Sequence, residues 1–259
     1  MHWSYPHLHD HSFFLINNQQ SLLLFSILFL FLFLFITITV FTTPQVAYSL
    51  YFGDTINIIE SNNSSLLPSP QLAATEGGNV YVVWVDKNIL YFKSSHDNGS
   101  KFNTPIILSK NVNLTSSPQL AATEGGNVYA VWVDKKNNST FGGDTDIAFK
   151  WSKDAGKTFK SKKLSRGLSE SSLSPQLAAT EGGNVYVVWS NNQTNFKEIL
   201  GNNAIFGETI KISNNTHSAY PQLAATEGGN VYVIWVANKH NTDTEKVLYF
   251  KRISKFLFD

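Results

Sequence analysis

PQLAATEGGNVY, residues 70–81, recurs without a change beginning at Pro118, Pro175 and Pro221, and each copy runs on into VVW, AVW, VVW or VIW. The four starts lie 48, 57 and 46 residues apart, a period that belongs to propellers and solenoids and not to one irregular core. The chain therefore reads as an array of one unit. Within the unit, Val80–Val85 (VYVVWV) is β-branched and aromatic, too short for a helix, and bounded by a Gly-Gly-Asn turn, which makes it a strand. Val80, Val82 and Trp84 share one face and Tyr81, Val83 and Val85 the other, so both faces are apolar and the strand is central in its sheet.

Working outward, Leu72–Thr75 carries the small residues of a crowded inner strand, and TEGGN supplies a tight hairpin. A third strand at Leu90–Ser94 and a fourth at Pro105–Leu108 complete the first unit. Four antiparallel strands per unit make a propeller blade. The expected fold is all-β, a four-bladed β-propeller with blades at about 70–109, 118–165, 175–213 and 221–253. Each fourth strand begins near a Phe, and an orphan copy, FGDTINI at 52–58, precedes the first unit while the last unit lacks its own. Residues 52–60 are thus expected to pair with Val247–Ile253 and close the ring, removing an exposed edge. An open array that closes only by dimerisation is the competing arrangement.

Two units join their third and fourth strands by a recognisable turn. Ser152, Asp154, Gly156, Thr158 and Phe159 spell SxDxGxTF, and Ser95, Asp97, Gly99 and Phe102 spell a weaker SxDxGxxF. In such a turn the carboxylate accepts backbone N–H groups, Gly takes a positive φ, and the aromatic fills the space between sheets. These turns resemble the Asp-box repeats of sialidase-like β-propellers. That resemblance implies a fold, and for active members a clamp of three arginines, a Tyr–Glu nucleophile pair and an Asp acid/base. This chain holds two arginines, Arg166 and Arg252, and lysine does not reproduce bidentate carboxylate recognition. Sialidase catalysis is therefore not expected to carry over.

The 259 residues contain no Cys and a formal net charge of +1. Disulfides and thiolate chemistry are excluded, and nothing supports nucleic-acid binding. Residues 1–20 form a polar, His-rich segment, and 21–42 contain the apolar run Leu22–Phe41, long enough to cross a bilayer. It reads as a signal peptide or a membrane anchor, followed by a linker at 43–51 and the propeller at 52–259. An exported or surface-anchored monomer is expected.

Candidate site residues follow from the loops. The TEGGN hairpins and Asp boxes share one end of the blades, so the loops joining second and third strands open at the other. They are Asp86–Ile89, Asp134–Ile147, Ser190–Asn195 and Ala237–Lys246. Variable polar loops on a repeated scaffold are a common binding surface, which nominates Asp86, Asp134, Asp144, Asp146, Asn192 and Lys239. Asp144 and Asp146 lack the further oxygen donors that a calcium site wants, and no cofactor or metal is expected. The repeated Glu76, Glu124, Glu181 and Glu227 read as solvated turn residues, and Trp84, Trp132, Trp189 and Trp235 as core. The expectation is a non-catalytic module that binds a protein or glycan at the cell surface, with no catalytic residues. A divergent sialidase-like glycoside hydrolase and a structural envelope component are the alternatives. Two carboxylates gathered in a pocket at the variable-loop end would favour the hydrolase.

Overall fold

The computed structural model describes residues 26–30, 53–58, 70–113, 117–135, 145–165, 172–201, 204–214, 217–239 and 244–254. The chain divides into two units, Met1–Thr55 and Ile56–Asp259. In the first, residues 26–30 are helical, and no described helix is long and apolar enough to cross a membrane. The rest of the Leu22–Phe41 run, like Asp144 and Arg166, lies outside the described residues.

The second unit is a succession of antiparallel meanders. The first sheet is β1 (Gln71–Ala74), β2 (Val80–Asp86), β3 (Ile89–Ser95) and β4 (Ile106–Ser109). The second is β5 (Gln119–Ala122), β6 (Val128–Lys135), β7 (Thr145–Ser152) and β8 (Lys160–Lys163). The third is β9 (Leu173–Ala179), β10 (Val185–Ser190), β11 (Thr194–Leu200) and β12 (Ile205–Lys211), and the last is β13 (Ala219–Ala225), β14 (Val231–Asn238) and β15 (Lys246–Ile253). Within every sheet the strands pair in chain order, the pattern of an up-and-down propeller blade. The inner strands touch in sequence, β1 with β5, β5 with β9 and β9 with β13, so the small LAA residues lie where the blades crowd together.

The core sits between blades. Tyr81, Val83, Val85, Leu90 and Phe92 of the first blade pack against Val128, Ala130, Trp132 and Ala148 of the second. The same Tyr/Val/Phe face meets the next blade's Val/Val/Trp face twice more. This is why the VYVVW core is apolar on both sides. All four repeated tryptophans are buried, as expected of core residues. Among the described residues the fourth sheet has three strands, and β15 pairs only with β14. Gly53–Ile58, the described part of the expected closing strand, has no strand structure. On the far face of this last blade Ile234, Leu248 and Phe250 are 36%, 65% and 65% exposed, whereas Phe92, Phe149 and Phe196 at the place of Phe250 are buried.

Both Asp-box turns form. The Ser152 hydroxyl donates to Asp154 Oδ1 at 2.6 Å and accepts from the Gly156 N–H at 2.9 Å. Thr158 donates its N–H to Asp154 Oδ1 and its hydroxyl to Oδ2, at 2.9 and 2.6 Å. These bonds, that from Ser152 first, pull the Asp154 carboxyl down to about 2. Gly156 takes φ +82°, and a Cβ there would strike the Phe92 ring. In the first box Ser95 donates to Asp97 Oδ1 at 2.7 Å, Gly99 N–H reaches Ser95 at 3.0 Å, and Lys101 N–H reaches Asp97 at 2.9 Å. Phe159 meets Phe92 edge-on at 5.0 Å between the first two blades. Each box leans on its own TEGGN hairpin, since Asn98 N–H donates to Gly78 O and Ala155 N–H to Gly126 O.

The repeated glutamates depart from the solvated-turn expectation. The Glu124 carboxylate accepts the backbone N–H groups of Glu76 and Gly77 in the preceding blade. Glu181 accepts that of Glu124 at 2.8 Å, and Glu227 that of Glu181 at 3.1 and 3.0 Å. Glu124, Glu181 and Glu227 thus each latch the hairpin of the blade before them. A hairpin tip presents N–H groups that no strand partner satisfies, and a carboxylate is the strongest acceptor available.

Candidate active site

The site is built by the second blade at the end opposite the TEGGN hairpins. Asp134 lies near the end of β6 and Asp146 near the start of β7, and the antiparallel register sets them directly opposite one another. Cross-strand partners of this kind hold their Cβ atoms ~5 Å apart. The bridge between Val112 and Asp134 stitches the first blade's exit to β6, supported by the Asn113 N–H donating to Val133 O at 2.8 Å. The two aspartates line a cavity of about 700 Å³ together with Leu108, Ser109, Trp132, Ala148, Lys150 and residues 161–163. No inner strand contributes to it. The cavity lies between β4 of one blade and the face of the next. Its size suits a small-molecule or saccharide ligand.

The two carboxyls live in different surroundings. Asp134 Oδ1 accepts the Trp132 indole N–H at 2.6 Å and the Ser109 hydroxyl at 2.9 Å. Burial pushes the Asp134 carboxyl above the usual carboxylate range, against the pull of those two bonds and of Lys163, and the nearby Asp146 adds to the rise. Asp146 is more deeply buried than the half-buried Asp134, and Lys163 Nζ reaches its Oδ2 at 3.0 Å while the Ser165 hydroxyl lies 3.5 Å from Oδ1. The two carboxyls thus differ in their partners, an indole and a hydroxyl on Asp134 and an ammonium on Asp146.

Among the described residues only the second blade forms this pair. The residue two after the repeated Trp is Asp86, Asp134, Asn191 or Ala237. In the first blade Asp86 faces Ile89 across a two-residue turn in which Lys87 and Asn88 both have positive φ, a primed hairpin with no room for a second acid. In the third and fourth blades the indole N–H groups of Trp189 and Trp235 have no acceptor among the described residues, where Asn191 and Ala237 replace the aspartate. Asn192 is spent on structure, its side-chain oxygen accepting the His217 N–H at 2.8 Å. Lys239 pairs with Glu245 at 2.5 Å across the β14–β15 hairpin. Of the six nominated residues, Asp134 and Asp146 are brought together, Asp86, Asn192 and Lys239 stand in other blades, and Asp144 lies outside the described residues. Sequence reasoning missed Lys163 and Ser109. Lys163 carries no repeated signal, and Ser109 belongs to the neighbouring blade.

No protein-family model and no curated protein matches the chain. Among solved structures the chain is similar to the alpha-L-arabinanase of Penicillium chrysogenum complexed with arabinobiose, at 15% identity and a TM-score of 0.50, over 73% of this chain and 63% of that one. It is also similar to the GH43 endo-arabinanase of Bacillus licheniformis, at 12% identity and a TM-score of 0.45, over 76% and 74% of the two chains. A third is the xylan beta-1,4-xylosidase of Bacillus halodurans, at 14% identity and a TM-score of 0.41, over 73% and 40%. The chain spans less than two thirds of the length of the Penicillium enzyme. The likeness shows the β-propeller fold, and it does not extend to the sialidase-like family that the Asp boxes resemble. The expectation of a non-catalytic binding module without enzymatic activity is corrected by the Penicillium neighbour, a glycoside hydrolase by its name of alpha-L-arabinanase. The alternative named with it, a divergent sialidase-like glycoside hydrolase, accords better in its hydrolase class, and its sialidase-like part is not shown. The similarity to solved structures ends at the β-propeller fold.

Proposed function

We propose that this protein hydrolyses glycosidic bonds, with Asp134 as the general acid and Asp146 as the second carboxylate, the one that acts from the other side of the bond. The observation that carries the reading is the opposition of these two residues across β6 and β7 in one cavity, with burial acting on one and an ammonium on the other. Asp134 Oδ1 already accepts two hydrogen bonds, so the proton belongs on Oδ2, from which it can pass to the leaving oxygen. Asp146, held by Lys163, then serves as base or nucleophile. The fold shared with the arabinanase supports the reaction class and leaves the sugar open. We place the activity outside the cell, on the evidence of the Leu22–Phe41 run. The test is turnover of a panel of neutral and acidic polysaccharides by the purified chain. Asp134→Asn and Asp146→Asn are each expected to lower kcat by about a hundredfold or more. Turnover unaffected by either change would sink the proposal.

A further inference from the structure

The same cavity holds a charged group that the acid/base pair leaves unused. Asp146, Ala148 and Lys150 alternate along β7 onto the face that bears Trp132 and Asp134, because Asp134 stands opposite Asp146, Trp132 opposite Ala148 and Ala130 opposite Lys150. The three lysines lining the cavity differ in what their ammonium groups touch. Lys163 is joined to Asp146. Lys162 turns to the other side of the sheet and sets its Nζ 3.9 Å from the centre of the Phe206 ring. Lys150 is half-buried and lines the cavity, and it makes no ion pair among the described residues. Asp134, the acid that acts on it through space, is the group inclined to stay protonated.

A half-buried ammonium without a bonded anion is costly, and an anion brought by the ligand would relieve that cost. We infer that the cavity takes a negatively charged saccharide and that Lys150 binds its anionic group, a uronate carboxylate or a sulfate ester. This rests on the reading of the cavity as a glycoside site. Lysine is a compact point charge with three rotatable donors, so it suits either anion. Lys150 lies four residues beyond Asp146 on the same strand face, ~13 Å along the backbone. The charge it meets therefore belongs to a sugar beside the scissile bond and not to the reacting atoms.

The experiment measures calorimetric binding to the full-length Asp134→Asn protein, which removes the proposed acid and slows turnover. The probes are an unsulfated oligogalacturonate, a sulfated oligogalactan and neutral arabinan and xylan oligosaccharides. At low salt one or both acidic probes are expected to bind at least about tenfold more tightly than the neutral ones, and added salt to erode the difference. Which acidic probe wins identifies the anion. Lys150→Met is expected to abolish the preference, Lys150→Arg to keep it, and Lys162→Met to leave it unchanged. Neutral probes bound as tightly as acidic ones, or a preference that survives Lys150→Met, would overturn the inference. The two readings fail separately. Lys150-dependent binding of an acidic glycan that the native protein does not cleave leaves this inference standing and removes the hydrolase. Cleavage of neutral glycans without charge preference does the reverse.

Discussion

Asp134 and Asp154 sit in one blade and are driven in opposite directions. Asp154 is at the surface, but three donated hydrogen bonds stabilise its charge. Asp134 is half-buried and close to a second carboxylate, so its charge is disfavoured. A carboxyl whose folded pKa lies above its unfolded value is most favourable to folding below the unfolded pKa, and that contribution is lost as pH rises past it. For Asp134 the loss begins above the ordinary carboxylate value and is complete above its raised folded value. Asp134→Asn keeps an oxygen for Trp132 and Ser109 and removes the charge. The protein should therefore melt at a higher temperature than the native form near about pH 7, and without that gain near about pH 3. Thermal unfolding at the two pH values checks this. Together with lost turnover, it would mark a residue kept for chemistry at the expense of stability. A lower melting temperature at both pH values would show that Asp134 is a structural acceptor.

At the scale of elements, the hairpins are tied to each other by the glutamate relay and to the third strands by the Asp boxes. The relay runs one way. Glu124 serves two N–H groups of the hairpin before it, whereas Glu76, in the first blade, has no recorded hydrogen bond from its side chain among the described residues. Removing Glu124 leaves two donors to water at an exposed tip, a loss we put at about 1 kcal/mol. The identical change at Glu76 should cost less than about 0.5 kcal/mol. Urea denaturation of Glu124→Ala and Glu76→Ala measures the contrast, and equal effects would show that the relay carries no stability. Identical residues in identical repeats thus play different parts, because among the described residues Glu124 meets a preceding hairpin and Glu76 does not.

The whole molecule gains its core from contacts between blades, so the worth of a residue depends on which blade it occupies. Phe149 is enclosed between the second and third blades, where it stacks on Tyr129 and Trp151. Phe250 stacks on Tyr232 but remains 65% exposed. Phe149→Ala should cost about 3–5 kcal/mol and Phe250→Ala less than about 1 kcal/mol, measured by chemical denaturation. A large loss at Phe250 would mean that its face is covered in solution.

The sequence by itself determined the strands, their order and the propeller. Those follow from the two-residue alternation of VYVVW, the glycines of TEGGN and the recurrence of the unit, all of which act over a few residues. It also determined the Asp boxes, whose partners lie within four residues of one another. Only the tertiary structure decided which aspartates matter and what the glutamates do. Asp86 and Asp134 are equivalent in the repeat, yet only Asp134 faces another acid, because the register of β6 on β7 brings Asp146 across from it. Glu124 finds its partner 48 residues away, through a blade-to-blade contact that no local pattern encodes. Charge states depend on burial and on groups from neighbouring strands and blades, such as Lys163 and Ser109. For that reason the site was legible as a loop with carboxylates, and its chemistry emerged only when the blades were packed.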